Sequence, residues 1–200
     1  MKIGVDVDGV IINSDEAIRV EAELYDLFDI RANGIQKKEG AMLAEEMYDW
    51  NQEEINEFVA NRIYNVSHEA PFVPGAIRIL KQLQKDGHEL ILITARGMII
   101  SESETEERLK EAKLEFSKKY YKEREKVGVA KKENIDIMID DRGTICKAMS
   151  ENKIHGLYLR DINRPKFEEN EYFHEVNNWG EIYRFIYCLN QKKRKENKDE

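Results

Sequence analysis

The stretch KIGVDVDGV, residues 2–10, decides the fold. Its apolar residues up to Val7 predict a buried β-strand, because β-branched side chains in a short apolar run are typical of a covered strand. Asp6 and Asp8 stand where this strand runs out, and strand alternation places both carboxylates on one face. Gly9 permits a tight turn that brings both aspartates to a single ligand. The stretch therefore predicts a first strand with a candidate site at its end.

The composition of the 200-residue chain leaves room for one domain with an insertion, or at most two small domains. Charged residues make up 36% of the chain, yet apolar runs such as LILIT and IDIMID argue against disorder. The net charge of −8 argues against a nucleic-acid polymer as partner, because clustered Lys and Arg carry such binding. No apolar run approaches the roughly 18 residues of a spanning helix. We therefore expect no membrane partner and a cytoplasmic location.

Strand-like apolar runs alternate with helical patterns along most of the chain. This alternation predicts parallel βαβ units and an α/β, doubly wound sheet that is covered on both faces. The strand-like runs are Lys2 to Val7, Glu89 to Thr94, a weaker one at Lys118 to Tyr121, Ile135 to Ile139, and Ile154 to Leu159. The helical patterns between them are Gly75 to Asp86, Ser103 to Phe116, Val127 to Asn134, and Gly143 to Glu151.

One interval, residues 15–67, breaks the alternation. It contains only helical patterns, at Asp15 to Phe28, Lys38 to Tyr48 and Gln52 to Arg62, and predicts a helical insertion after the first strand. The segment HEAPFVPGA then returns the chain to the sheet. We expect residues 1–14 and 68–190 to form the core domain and residues 191–200, which lack apolar side chains, to form a solvated, frayed tail.

Polar residues follow several of the predicted strands, at the edge of the sheet where parallel α/β proteins bind ligands. Thr94, Ala95 and Arg96 follow the second strand, and Asp140 with Asp141 follows the fourth. Taken singly, an Asp-Gly pair is more often a turn and an Asp-Asp pair a helix cap. Several carboxylates at adjacent strand ends, however, repel one another unless a cation lies among them. Oxygen ligands with few Cys or His nearby favour Mg²⁺ over zinc.

Carboxylates around Mg²⁺ suit phosphoryl transfer to an aspartate, because the metal lets an anionic nucleophile approach an anionic phosphate. In this interpretation Asp6 attacks, and Asp8 protonates the leaving oxygen and later activates a water molecule. Thr94, the backbone amide of Ala95 and a lysine would surround the transferred phosphate oxygens.

The motifs DVDGV, LILITAR and IDIMIDDR, in this order and strand context, resemble those of the haloacid dehalogenase superfamily of aspartyl-phosphate-forming phosphatases. The helical insertion, PFVPGA, ITAR and NNWGEI are similar to the branch of 5′-nucleotidases and 5′(3′)-deoxyribonucleotidases. Many superfamily members have Thr where this chain has Val10, and the nucleotidase branch tolerates Val there. The resemblance implies a Rossmann-like sheet of order 3-2-1-4-5, with the helices of residues 15–67 as a cap over the site.

The resemblance also implies residue roles. Asp6 matches the nucleophile, and Asp8 matches the general acid and base whose backbone carbonyl also faces Mg²⁺. Asp140 and Asp141 complete the metal site, which makes Asp6, Asp8, Asp140 and Asp141 the expected metal residues. Thr94 matches the hydroxyl that contacts phosphate.

The family also has a phosphate-binding lysine before the acidic pair, for which Lys126, Lys131 and Lys132 are candidates. We choose Lys126, because it begins the predicted helix near the site, where the helix dipole also favours an anion. Arg96 is left with two roles, contact with substrate or pairing with an acid.

From these residues and the resemblance we expect a Mg²⁺-dependent phosphatase of a small phosphorylated metabolite, with a nucleoside monophosphate as the first candidate substrate. Aromatic residues of the insertion could stack a base, although aromatics at helical spacing more often form core; they are Tyr25, Phe28, Tyr48 and Trp50. The alternatives are a phosphatase or phosphotransferase of another metabolite such as a sugar phosphate, and a non-enzymatic phospho-acceptor or phosphate-binding regulator. A homodimer is one assembly to test.

Overall fold

The protein is built around a six-stranded parallel sheet with strand order β3-β2-β1-β4-β5-β6. The computed structural model describes residues 1–31, 44–161 and 164–199. The strands are β1 (Lys2–Val5), β2 (Glu89–Ile93), β3 (Lys118–Tyr120), β4 (Ile137–Asp140), β5 (His155–Leu159) and β6 (Phe173–Val176). The sheet confirms the predicted doubly wound α/β class and the order of the five predicted strands.

The sixth strand, β6, was not predicted. It pairs in parallel with β5 at the edge of the sheet. Its sequence, FHEV, has buried apolar residues only at Phe173 and Val176, with His174 and Glu175 between them. An edge strand is covered less completely than a central one, so it lacks the continuous apolar run on which the prediction of strands depended.

Eight α-helices connect and cover the strands in the described part of the chain. They are α1 (Ser14–Tyr25), α2 (Ala44–Met47), α3 (Gln52–Glu69), α4 (Ala76–Lys85), α5 (Glu102–Glu111), α6 (Val127–Glu133), α7 (Gly143–Glu151) and α8 (Trp179–Asp199). A π-helical turn at Asp26–Ile30 extends α1. Helices α4, α6 and α7 lie within one or two residues of their predicted bounds.

The C-terminal segment differs from the predicted frayed tail at 191–200, because α8 continues to Asp199. This segment is rich in Lys, Arg, Glu and Gln, whose straight side chains have a high intrinsic preference for helix. Lys193 also anchors the helix, with its Nζ atom 2.6 Å from Oδ1 of Asp136. The lack of apolar residues in this segment was therefore no evidence against a helix there.

Apolar side chains cover both faces of the sheet. On one face Leu80 and Leu83 of α4 and Ile182 and Ile186 of α8 pack against the strands. On the other face α6 and α7 contribute a second cluster around Met149. Burial on both faces explains why the central strands read as continuous apolar runs.

Within 15–67 the described residues form helices and no strand, as expected for the insertion. Only the end of the predicted helix Lys38 to Tyr48 can be compared, because residues 32–43 lie outside the described residues. The insertion has its own core, in which the Trp50 ring stacks on Tyr48 at 4.8 Å and the Trp50 Nε1 atom donates to Asp26 Oδ1 at 2.7 Å.

Three of the four aromatic residues considered for base stacking are therefore buried in this core, namely Tyr25, Tyr48 and Trp50. Phe28 is the exposed one, with 64% of its surface accessible.

Within the described residues, no helix combines the length and the apolar character needed to cross a bilayer.

Candidate active site

The turn after β1 places Asp6 and Asp8 at the carboxyl edge of the sheet. The Asp6 backbone amide donates to the Ile139 carbonyl at 3.0 Å, so the pairing of β1 with β4 continues past the strand end. Gly9 follows with φ +68°, and a Cβ atom there would overlap the carboxylate of Asp141. Glycine is therefore required at this position both for backbone conformation and for the close approach of Asp141.

Lys126 joins two carboxylates at the centre of the site. Its Nζ atom lies 2.8 Å from Asp6 Oδ1 and 2.6 Å from Asp140 Oδ2, and only 3% of the lysine is exposed. Lys126 directly precedes helix α6, as the choice among the three lysines assumed. Lys131 and Lys132 are exposed. The structure therefore places Lys126 among the predicted site residues.

Asp140 and Asp141 end β4 with their side chains held by different partners. The Asp140 Oδ1 atom accepts the backbone amide of Arg142 at 2.9 Å. The Asp141 Oδ2 atom lies 2.5 Å from Nη2 of Arg164, and the same Nη2 atom also donates to the carboxylate of Asp15. The Nη1 atom of Arg164 donates to the backbone carbonyl of Asp141.

Arg164 and Asp15 are the residues of this cluster that the sequence did not single out. Arg164 comes five residues after the end of β5, too far along the chain for a search of polar residues at strand ends to have found it. Asp15 belongs to the first turn of α1, where an acidic residue is ordinary.

Arg96 pairs with Asp8, one of the two roles left open for it. Its Nε and Nη2 atoms reach the Asp8 carboxylate at 2.7–3.1 Å, and its Nη1 atom lies 3.4 Å from Thr105 Oγ1. The Arg96 side chain is only 1% exposed, so the expected contact of its guanidinium with substrate is not what the structure shows.

Thr94 is fully buried, and its hydroxyl accepts the backbone amide of Arg96 at 3.2 Å. Ala95, whose amide was expected to contact phosphate, is half-buried between them. Both residues follow β2, the neighbour of β1 in the sheet, so they lie on the edge that carries Asp6.

The electrostatics of the site reflect a shortage of positive charge. The pKa of Asp6 is raised to about 6, mainly by burial and also by the neighbouring Asp140 carboxylate, against the lowering effect of the Lys126 ammonium. Burial likewise raises the pKa of Asp141 well above its usual value, although the Arg164 guanidinium lowers it. Two buried carboxylates are thus held in an environment that disfavours their charged forms.

Arg96 and Lys126, in contrast to burial, favour the charged forms of the carboxylates beside them, those of Asp8 and Asp6. Partial burial raises the pKa of Asp8, but the Arg96 guanidinium outweighs it and the pKa lies below its usual value. Burial lowers the pKa of Lys126, yet the carboxylates of Asp140 and Asp6 outweigh this effect and raise it. Both ion pairs therefore favour charged partners.

The residues present fit a divalent cation. Asp6, Asp140 and Asp141 are all buried, and each offers a carboxylate oxygen within 4.8 Å of the others. The ion pairs of the site join five carboxylates to three cations, which leaves an excess of two negative charges when all are ionised. An oxygen-only donor set is the kind that Mg²⁺ prefers. The side chain of Asp8 lies outside this trio, so its predicted contribution to a metal is limited to the backbone carbonyl.

A cavity of about 310 Å³ adjoins this cluster and gives it access to solvent. Gly9, Asp15, Asp141 and Arg164 line one side of it.

Comparison with known proteins gives no sequence match, since no protein-family model and no curated protein matches the chain. Solved structures do match. A haloacid dehalogenase-like family hydrolase from Streptococcus pneumoniae has a TM-score of 0.64 at 15% identity, covering 92% of this chain and 97% of its own. A predicted phosphatase from Clostridium acetobutylicum has a TM-score of 0.65 at 18% identity, covering 93% and 97%. A protein from Thermotoga maritima assigned as a beta-phosphoglucomutase has a TM-score of 0.59 at 18% identity, covering 94% and 99%.

At such low identities the likeness establishes the fold alone. The sheet order and the near-complete coverage of both chains agree with it. The chain has the α/β fold of the haloacid dehalogenase-like hydrolases.

Proposed function

We propose that this protein is a Mg²⁺-dependent phosphomonoester hydrolase that works through an aspartyl-phosphate on Asp6. The observation that carries the proposal is the buried Lys126 bridge, which holds Asp6 and Asp140 at 2.8 and 2.6 Å, with Asp8 two residues beyond the nucleophile. A structural ion-pair bridge would not require a third carboxylate, that of Asp141, to be buried within 4.8 Å of Asp6 and Asp140.

The first step transfers the phosphoryl group to Asp6. A carboxylate oxygen of Asp6 forms a bond to phosphorus, and the bond from phosphorus to the leaving oxygen breaks. Asp8, whose ionised form the Arg96 guanidinium favours, must first take up a proton. It gives this proton to the leaving oxygen, so the leaving group departs as a neutral alcohol.

The second step hydrolyses the acyl-phosphate. Asp8, now ionised, takes a proton from a water molecule whose oxygen attacks phosphorus, and the bond from phosphorus to Asp6 breaks. Inorganic phosphate leaves, and Asp6 and Asp8 return to their starting forms.

Other residues hold the reacting groups. Lys126 fixes the Asp6 carboxylate and supplies positive charge to a phosphate oxygen, and the Thr94 hydroxyl and the Ala95 amide are the proposed donors to the others. Asp6, Asp140, Asp141 and the backbone carbonyl of Asp8 would hold Mg²⁺. The bound cation would neutralise charge on the phosphate and the carboxylates.

For the substrate we propose a nucleoside monophosphate, on the resemblance of the motifs to the nucleotidase branch. The helical insertion at 15–67 would serve as a cap that excludes water and selects the leaving group. Burial of Tyr25, Tyr48 and Trp50 removes three candidate stacking residues, so a sugar phosphate is the second candidate. The beta-phosphoglucomutase assignment of one structural neighbour supports testing it. The cytoplasmic location and the homodimer stay predictions.

The test is release of inorganic phosphate from a panel of nucleoside monophosphates and sugar phosphates, with MgCl₂ and with a chelator. We expect metal-dependent release from at least one substrate and none from Asp6→Asn. Undiminished release by Asp6→Asn, or no release from any compound by the native protein, would overturn the proposal. Product analysis with added acceptor alcohols distinguishes transfer to water from transfer to another hydroxyl.

A further inference from the structure

Arg164 connects the carboxylate cluster to the helical insertion. One of its nitrogens donates to the backbone carbonyl of Asp141, and the other contacts both the Asp141 carboxylate and the carboxylate of Asp15. Its side chain is 2% exposed. The guanidinium is thus buried against these two aspartates and is not a surface charge.

The segment that carries Arg164 is itself held in place. The Arg164 backbone amide donates to the Asp161 carbonyl at 3.0 Å, and its carbonyl accepts Nη1 of Arg160 at 3.1 Å. The Tyr158 hydroxyl donates to the carbonyl of the next residue, Pro165, at 3.1 Å. These bonds tie the segment to β5, which neighbours the strand that ends in Asp140. Arg164 therefore approaches Asp141 from a fixed position.

A guanidinium in this position restricts how the Asp141 carboxylate can turn. Two donors from one planar group engage the carbonyl and Oδ2 of the same residue, which fixes the carboxylate more firmly than a single contact would. Gly9 also lies against this carboxylate, because any Cβ atom there would overlap it. The Asp141 side chain thus has two close neighbours, and one of its oxygens lies within 4.8 Å of carboxylate oxygens of Asp6 and Asp140.

We propose that Arg164 is a positioning residue for the metal ligand Asp141 and that it links this ligand, through Asp15, to the first turn of α1. The inference rests on the magnesium site of the proposed function. It adds a residue outside the strand-end motifs and a physical connection from the cation to the helical insertion.

The direction in which the Mg²⁺ affinity changes when Arg164 is replaced separates a positioning role from a purely electrostatic one. Arg164 brings a positive charge close to a site for a cation, so by Coulomb's law its removal favours Mg²⁺. Loss of the partner that orients a ligand instead weakens a metal site, by about 10- to 100-fold in comparable cases. If positioning dominates, a neutral substitution will weaken Mg²⁺ binding.

The experiment is calorimetric titration of chelator-treated protein with MgCl₂, which needs no substrate. We expect Arg164→Lys, which keeps the charge but loses the planar fork, to raise the Kd for Mg²⁺ about 10-fold. Arg164→Gln should also raise it, but by less than Arg164→Lys, because the loss of the positive charge partly offsets the loss of the fork. Arg108→Lys is the matched control, because Arg108 also donates to backbone carbonyls, those of Ser67, His68 and Ala70, far along the chain from the aspartates. Circular dichroism melts establish that each variant is folded at the titration temperature.

Hydrogen exchange tests the link to α1. Addition of MgCl₂ should slow exchange of the backbone amides in Ser14–Tyr25 in the native protein. In Asp15→Asn, Mg²⁺ should still bind, but this slowing should be lost. If both proteins show the same protection, the link to α1 is wrong.

The outcomes separate the two proposals. If the native protein takes up no Mg²⁺, the metal site and the proposed function fail together. If the native protein binds Mg²⁺ and Arg164→Lys binds it equally well, or Arg164→Gln binds it more tightly, the positioning role alone is overturned.

Discussion

The guanidinium of Arg96 spans the carboxylate of Asp8, with Nε 3.1 Å from each oxygen and Nη2 2.7 Å from Oδ1. Its remaining nitrogen is directed to Thr105 of α5, so each of the three guanidinium nitrogens contacts a side chain of the protein in this arrangement. The orientation of Asp8, the proposed proton donor and acceptor, is therefore set by a buried residue from the neighbouring strand end.

We expect Arg96→Lys to lower kcat while leaving KM nearly unchanged. Lysine keeps the charge but cannot bind both carboxylate oxygens through a planar fork, and a small misplacement of a catalytic group costs about 100-fold in rate. The steady-state kinetics of phosphate release will show whether kcat alone falls. A raised KM with an unaltered kcat would restore the substrate-binding role for Arg96.

Lys126→Met should abolish most activity and also destabilise the protein. Methionine retains the bulk of the side chain but leaves Asp6 and Asp140 buried without a cation, and removal of one partner from a buried ion pair costs about 3–5 kcal/mol. Urea unfolding in the presence of a chelator measures the change in unfolding free energy, and phosphate release measures the activity.

The control for Lys126 is Lys131→Met on the same helix, where the side chain is exposed. It should change the unfolding free energy by less than about 0.5 kcal/mol and leave the activity intact. If Lys131→Met loses the activity and Lys126→Met retains it, the choice of the phosphate lysine is wrong.

The sequence predicted those site residues that directly follow strands. Asp6, Thr94 and Asp140 come at the carboxyl ends of β1, β2 and β4, and parallel strands bring their carboxyl ends to one edge regardless of what connects them. For these residues the local pattern was enough. The order of the five predicted strands came instead from the resemblance of the motifs to a known superfamily, and the polar edge strand β6 lacked the apolar run on which the prediction of strands depended.

Contacts between residues that are far apart in the sequence could not be predicted from a local sequence pattern. Arg164 follows β5 within an irregular segment, and its contact with Asp15 joins residues 149 positions apart. The burial of Trp50 depends on how the helices of the insertion pack, which helical spacing alone does not fix. Sequence reasoning thus identified four of the five carboxylates of the cluster and missed Asp15 and Arg164, the cation that joins Asp15 to Asp141.

Trp50→Ala should destabilise the insertion without a direct effect on substrate binding. The Trp50 ring stacks on Tyr48, and its Nε1 atom satisfies Asp26, itself buried, so the change leaves a cavity and an unpaired carboxylate. Truncation of a buried Trp costs about 3–5 kcal/mol. Thermal and urea unfolding measure this loss, and Phe28→Ala, at an exposed ring, should change stability by no more than about 0.5 kcal/mol. A raised KM with unaltered stability in Trp50→Ala would instead favour a base-stacking role.

Gly9→Ala and Gly87→Ala form a pair that separates backbone strain from displacement of Asp141. Both glycines have positive φ, +68° and +84°, so alanine at either costs about 1–2 kcal/mol of unfolding free energy through the backbone alone. A Cβ atom at Gly87 meets nothing within 4 Å, whereas at Gly9 it would overlap the Asp141 carboxylate.

We therefore expect Gly87→Ala to lose only the backbone contribution, with the Mg²⁺ affinity and kcat of the native protein. Gly9→Ala should lose more stability than Gly87→Ala. The Mg²⁺ affinity of Gly9→Ala should also fall by about 10-fold or more, because the Asp141 carboxylate must move away from Asp6 and Asp140. Urea unfolding and calorimetric titration with MgCl₂ of both variants measure the two effects independently. Equal Mg²⁺ affinity in Gly9→Ala and the native protein would show that Asp141 is not a ligand, since the substitution cannot be accommodated with its carboxylate in place.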